Sequence, residues 1–497
     1  MTFDRTRYCI HTGADGRLLT TTTADVDALF ARLRDASRVV VHFHGGLVST
    51  RTGFAVAERL TPTYEAAGAT PVFFVWSSGI HEVVGGNLSE IFGEDIFQRL
   101  LSRVTSIALR KLGDDTRETV GSGDDLRTVE AELARRDSRD EPFADFRADP
   151  GVGELTDEER RRFEAELDQD GELRRQLQTV LEARLPETTE SIEGGAVVRT
   201  RASAQSLMSP EVLAELDAGT STQEGLVSTA TLGKKAVQAL AAVVRRFRAD
   251  TDHGLYCTVV EELLRAFDLA NAGGTVWHAM KRETEDTFAD SAEPRGGRLF
   301  MDGLAELAAA RPDVEVTLVG HSTGAVFIDN LLVDLAERKA AGTVPAEFRI
   351  KNVVFLAPAA TFAHVAKAVQ RWDDVADGFR MFTMSDEAEI ANHLVPRVYP
   401  RSLLYFVSGV VERGPSGRSG WAPIVGQRRY YEKTWFDIDD DIAAVGAFVD
   451  PTALHRRVVW SPTDDDEPAG FRSTARDHGT FDDDAEVRAS LQEIVRG

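Results

Sequence analysis

Apolar residues concentrate in two stretches of the chain, where they form short unbroken runs rather than alternating with polar ones. Val39-Val40-Val41-His42-Phe43 and Pro71-Val72-Phe73-Phe74-Val75-Trp76 are two such runs, stopped by Gly45-Gly46 and by Ser77-Ser78-Gly79. Residues 54–67 between them have helical spacing. Unbroken β-branched and aromatic runs bounded by turn residues predict strands buried on both faces, and a helix between them predicts a parallel pairing. The second stretch begins near Gly296. Residues 299–310 read as a helix stopped by Arg311-Pro312-Asp313, 314–319 (VEVTLV) as a strand and 325–336 as a helix. Residues 353–356 then read as a strand ending at Ala357-Pro358, 362–369 as a helix and 379–384 as a strand. This β-α-β-α-β alternation predicts an open, mostly parallel α/β sheet with helices on both faces.

Residues 100–294 are different, being rich in Glu, Asp and Arg. Thr156-Asp157-Glu158-Glu159 fits a capping box, and Phe163, Leu167, Leu173, Leu177 and Leu181 keep mostly to helical spacing, with Gly171 as an interruption. Ser209-Pro210 reads as a helix start, and 233–247 and 257–272 as helices, the latter ending at Gly273-Gly274. Residues 121–123, 149–153 and 187–206 read as connectors. The expected organisation is therefore residues 1–99 and 295–497 as two parts of one sheet core, with 100–294 as a helical insertion, either a solvated elaboration or a cap over a site. Val276-Trp277-His278-Ala279-Met280-Lys281 reads as a helix packed on the sheet, with the lining of a pocket as the alternative. No repeat is evident.

The tail carries acidic runs at 437–441, 464–467 and 482–484. Asp437, Asp439 and Asp441 alternate like the start of a calcium loop, but Ile442 stands where the sharp turn needs Gly and Phe448 where Glu is needed. All three runs read as solvated surface.

The 497 residues carry 57 basic and 81 acidic side chains, a formal net charge of -24, which disfavours nucleic acid and anionic membranes as partners. The two cysteines, Cys9 and Cys257, supply neither a disulfide scaffold nor a zinc pair. The first residues, MTFDRTRYCIHTGADG, show no apolar signal region, and no apolar stretch approaches the ~20 residues of a membrane span, so a cytoplasmic protein is expected.

Gly320-His321-Ser322-Thr323-Gly324 lies directly between the strand VEVTLV and the helix AVFIDNLL. A nucleophilic serine needs its hydroxyl presented from a tight strand-to-helix turn, and flanking glycines permit that backbone. The following helix N-terminus adds oriented N–H groups where an oxyanion would form. On these residues the chain resembles the α/β-hydrolase superfamily of lipase- and esterase-like serine hydrolases. The resemblance covers about residues 35–100 and 295–497. It implies Ser322 as nucleophile and the Thr323 N–H as one oxyanion donor. His44-Gly45-Gly46-Leu47 fits the loop that supplies the other donor, Gly46 or Leu47, although the family's fuller His-Gly-Gly-Gly form is not present. His42 and His44 are otherwise a structural pair, and a metal reading lacks further ligands nearby in the chain.

The resemblance further implies an acid after a later strand and a histidine last. Asp386, at the end of the strand 379–384, takes the first role, with Glu387 as fallback. Among the later histidines, His393 is too close to the acid and His455 opens an expected strand over 455–460. His478, in a turn before the terminal helix 485–495, takes the second role, with His455 as runner-up. The implied activity is hydrolysis of a small or lipid-like carboxylic ester through an acyl-enzyme, with no cofactor and no metal. A peptidase, thioesterase or acyltransferase on the same fold, or an interaction or regulatory protein on a hydrolase scaffold, are the alternatives.

Overall fold

The computed structural model describes residues 3–46, 49–76, 95–111, 155–173, 175, 226–249, 251–267, 271–396, 398–412, 422–431, 435, 439–449 and 456–497. The chain forms two compact units. The first comprises Met1–Gly85, Gly273–Pro396 and Pro400–Gly497, and the second comprises Gly86–Ala272 with Arg397–Tyr399.

Among the described residues the first unit is built on seven parallel strands: β1 (Cys9–Thr12), β2 (Arg38–Phe43), β3 (Thr70–Trp76), β4 (Glu315–His321), β5 (Ile350–Leu356), β6 (Ala376–Met384) and β7 (Val458–Ser461). They lie in the order β1-β3-β2-β4-β5-β6-β7. The predicted α/β class is therefore found, and the runs of apolar residues are the central strands. Side chains alternate between the two faces with period two. Val39, Val41, Phe43, Val316 and Leu318 enter one apolar core, with helices Thr23–Leu33, Gly296–Ala310 and Gly324–Ala340. Val40, Val319, Val354 and Leu356 enter the other, with helices Thr50–Ala66 and Ala485–Arg496. Helices thus cover both faces, as a parallel sheet requires.

The strand order places the candidate site. From β2 the chain steps outward to β3, and β4 then pairs with the opposite edge of β2, with Phe43 in register with Gly320. The order reverses between β2 and β4, so the loops leaving their carboxyl ends diverge and open a crevice there.

Several local readings need correction. Strand β1 was not expected, because Cys9-Ile10-His11-Thr12 is four residues of mixed polarity. Gly273-Gly274 does not end a helix but lies inside the helix Asn271–Asp286. Trp277 and Met280 of that helix are buried, and the Trp277 indole donates to Glu412 Oε1 at 2.8 Å. Packing here outweighs the ~1 kcal/mol that each helical glycine costs. Residues 273–294 accordingly belong to the sheet-bearing unit. The acidic runs are not uniformly solvated. Asp439 accepts from the backbone N–H groups of Asp441 and Ile442 and so starts the helix Asp440–Val449. Asp482 is 3% exposed. Leu177, Leu181, Ser209-Pro210, Asp437, His455 and the three connectors lie outside the described residues.

In the second unit the described elements are helices: Asp95–Lys111, Asp157–Asp168, Leu226–Arg248 and Leu255–Ala266. The predicted capping box is present, with Thr156 and Glu159 exchanging side-chain-to-backbone hydrogen bonds. The core of this unit holds Arg246, paired with Glu261 at 2.5 Å and with Glu262 at 3.0 Å. His253 and Tyr399 also bond Glu261, so its buried carboxylate is well satisfied. Among the described residues no helix is long and apolar enough to cross a membrane.

Candidate active site

Strand β4 ends at His321, and the helix Gly324–Ala340 starts within three residues. The turn between them closes only if Ser322 takes a left-handed backbone, and its φ is 55°. A non-glycine residue held there stores about 1–3 kcal/mol of strain and persists only where its surroundings fix it. They do so here. The Ser322 N–H donates to the Leu356 carbonyl at 2.8 Å, and the Ser322 carbonyl accepts from the Ala359 N–H at 3.1 Å. The turn is thereby clamped to the end of β5. A Cβ on Gly324 would collide with the Phe43 carbonyl oxygen, so glycine lets the turn lie directly against β2.

The Ser322 hydroxyl is 2.9 Å from His478 Nε2. Both side chains are buried. His478 opens the short turn His478–Thr480, held by Asp477, whose carboxylate accepts from the Gly479 N–H at 2.8 Å. Burial, reinforced by the neighbouring His321, pushes the His478 imidazole down to about 3, against the weaker opposing pull of Asp482. At neutral pH the ring is therefore uncharged and able to accept a proton from Ser322.

Asp386 does not meet His478. It is the first residue of the helix Asp386–Ala391, and its Oδ1 accepts from the Tyr405 hydroxyl at 2.9 Å. His478 Nδ1 has no hydrogen-bond partner among the described residues. Glu387 is exposed.

The loop after β2 lies beside Ser322. A Cβ on Gly45 would be 3.2 Å from Ser322 Cβ, and one on Gly46 would overlap Met280 Sδ and the Thr323 hydroxyl. His44 shapes this loop. Its Nδ1–H donates to the Gly45 carbonyl at 2.7 Å, its Nε2 accepts from the Trp76 N–H at 3.2 Å, and its ring stacks on Trp76 at 4.1 Å. These bonds fix the neutral tautomer, and burial holds the ring down at about 4. Thr323 is buried at the start of the helix Gly324–Ala340, whose N-terminus has no side-chain cap. The start of this helix and the Gly45-Gly46 backbone thus both lie against Ser322-Thr323. Leu47 lies outside the described residues.

Sequence reasoning missed a buried cluster behind the pair. Asp482 Oδ2 lies 2.9 Å from His321 Nδ1, and His321 Nε2 lies 2.8 Å from the His478 carbonyl oxygen. His42 Nε2 is 3.9 Å from Asp482, and His42 Nδ1 bonds the Tyr64 hydroxyl at 2.9 Å. Burial alone would depress His321 and raise Asp482. Their mutual attraction reverses both, leaving His321 above its ordinary value and Asp482 well below the carboxylate range. The only sequence signal was the parity of the strands: His42 and His321 fall on the sheet face that carries the C-terminal helix.

Among the described residues no group of three or more His, Cys, Asp or Glu side chains is arranged to hold a metal ion. A cavity of about 400 Å³ opens along the helix that follows Ser322, beside Val326 and Asn330, and is otherwise lined by polar groups that include Lys281, Arg282, Glu285 and His364. Comparison with protein-family models, curated proteins and solved structures finds no match to this chain.

Proposed function

We propose that the protein is a serine hydrolase that cleaves small-molecule carboxylic esters through an acyl-enzyme on Ser322. The observation that carries this reading is the 2.9 Å contact between Ser322 Oγ and His478 Nε2, made by a serine with φ 55° at the end of a central strand. A strained turn fixed from both sides, an uncharged imidazole in contact and backbone donors alongside are the parts that acyl transfer needs. Ser322 Oγ attacks the ester carbonyl as His478 Nε2 takes its proton. The Thr323 and Gly46 N–H groups stabilise the oxyanion, each such donor contributing about 3 kcal/mol. The tetrahedral intermediate expels the alcohol, which takes the proton from His478. Water then adds to the acyl-enzyme with His478 as base and releases the acid and free Ser322.

The resemblance of Gly320-His321-Ser322-Thr323-Gly324 and of the His44-Gly45 loop to α/β-hydrolases supports the same reading. Cys9 and Cys257 are buried thiols, which suits a reducing, cytoplasmic setting, and the net charge of -24 disfavours nucleic acid. The test is labelling of Ser322 by a fluorophosphonate probe, followed by turnover of p-nitrophenyl esters of graded chain length. Labelled protein that turns over esters of the panel supports the proposal. Labelled protein that turns over none of the panel refutes the ester-hydrolase part of it.

A further inference from the structure

We propose that His321 and Asp482 are positioning residues for this reaction, forming a buried ion pair that fixes the base through the main chain of His478 rather than through its ring. The proposal rests on the reading of Ser322 and His478 as nucleophile and base. Both ring nitrogens of His321 have oxygen partners. Nε2 lies 2.8 Å from the His478 carbonyl oxygen and Nδ1 lies 2.9 Å from Asp482 Oδ2. A carbonyl oxygen and a carboxylate oxygen both accept. Each nitrogen must therefore carry hydrogen, and the ring is an imidazolium opposite an ionised Asp482. The raised value at His321 and the lowered one at Asp482 agree with that assignment.

The placement gives the ion pair two effects. His321 is the residue immediately before Ser322, so one rigid step of chain at the end of β4 carries the nucleophile and grips the loop that carries the base. Relative motion of hydroxyl and imidazole is thereby restricted, where a displacement of about 1 Å costs on the order of 100-fold in rate. The second effect is electrostatic. The His321 and His478 ring centroids are 5.5 Å apart, and a cation at that distance disfavours a second one on His478. The base thus stays in its proton-accepting form well below neutral pH.

Around this cluster, His44 on the loop after β2 lies near enough to interact with His42, His321 and Asp482. Ser322 and His321 come from the end of β4. His42, on β2, is held by Tyr64 with its Nε2 3.9 Å from Asp482. Arg59, from the helix Thr50–Ala66, pairs with Asp483 at 2.6 Å. Asp482 Oδ1 has no hydrogen-bond partner among the described residues, although the carboxylate is buried. An ion pair in such a place is costly to desolvate and is poorly explained by stability alone.

The experiment compares full-length wild type with His321→Gln, His321→Ala and Asp482→Asn, reading the rate constant of fluorophosphonate labelling against pH. The titration of the His478 imidazole is followed by NMR in wild type and His321→Gln. Glutamine keeps an N–H donor near the Nε2 position but no charge. His321→Gln is expected to label several-fold more slowly than wild type at pH 8 but faster than His321→Ala, with its acid limb and the His478 titration moved up by about one pH unit or more. His321→Ala and Asp482→Asn are expected to label on the order of 100-fold more slowly. His321→Ala labelling at the wild-type rate, or an unchanged His478 titration in His321→Gln, overturns the proposal. Wild type that does not label at all refutes the hydrolase reading, while the NMR titration still decides the charge assigned to His321.

Discussion

Two aspartates follow late strands of the same sheet, and their surroundings differ sharply. Asp386, directly after β6, is half-buried at the start of a short helix and is held by the Tyr405 hydroxyl. Asp482, beyond β7, is buried and ion-paired to His321, the residue beside Ser322. Its neighbours have ordinary surface roles: Asp483 pairs with Arg59, and Asp484 caps the helix Ala485–Arg496. Position in the chain identifies a loop, but the partner that the fold delivers decides what a carboxylate does. A charged group in contact with water contributes little, whereas a desolvated pair is sensitive to the loss of either member.

Substitutions at the two ends of the sheet can break this comparison. The largest effect is expected at the base itself, where His478→Ala should lower ester turnover by about 10³-fold or more without changing the folded spectrum by circular dichroism. Next comes the pair of aspartates. Asp482→Asn should reduce kcat/KM on the order of 100-fold, and Asp386→Asn by less than about threefold. The reverse order would make Asp386 the acid of the site and would remove the contrast. Gly324→Ala follows, because its methyl would strike the Phe43 carbonyl. We expect about 2 kcal/mol or more of lost stability, measured by urea unfolding.

Smaller effects sharpen the account. Ser322→Gly relieves the left-handed strain at φ 55° and should stabilise the fold by about 1 kcal/mol while abolishing labelling. The buried histidines give a pH signature. His42, His44 and His478 are held at about 4, about 4 and about 3 by burial, against an ordinary 6.5. The unfolded chain therefore takes up protons below pH ~6.5 that the folded chain refuses, and stability falls as pH drops from there towards about 4. His321 acts oppositely, since its raised value contributes stability that is lost as pH rises through it. Urea midpoints measured from pH 8 to pH 4 should decline on the acid side, and an increase there would contradict the assigned burial.

Much of the fold is legible in the sequence because its central strands are unbroken apolar runs, which only a sheet covered on both faces accommodates. Edge strand β1 escaped because Cys9-Ile10-His11-Thr12 has no periodicity to read. Gly273-Gly274 misled because glycine is a local signal, and the buried Trp277 and Met280 override it. In the site, Ser322 and His478 were legible: a motif between a strand and a helix is a local pattern, and few histidines follow it. His321 was visible only as the variable position of that motif. Asp482 was hidden in a run of three aspartates that looks solvated, and nothing local separates it from Asp483. Its role exists only after β2, β4 and the C-terminal segment have packed together.

The most direct test of the account is the intact mass of the protein after incubation with a fluorophosphonate, in wild type, Ser322→Ala and His478→Ala. One adduct on wild type, mapped to Ser322, none on Ser322→Ala and a rate lowered by about 10³-fold in His478→Ala is the predicted result. An unmodified wild type, or equal modification of all three proteins, would contradict the claim that Ser322 and His478 work as nucleophile and base.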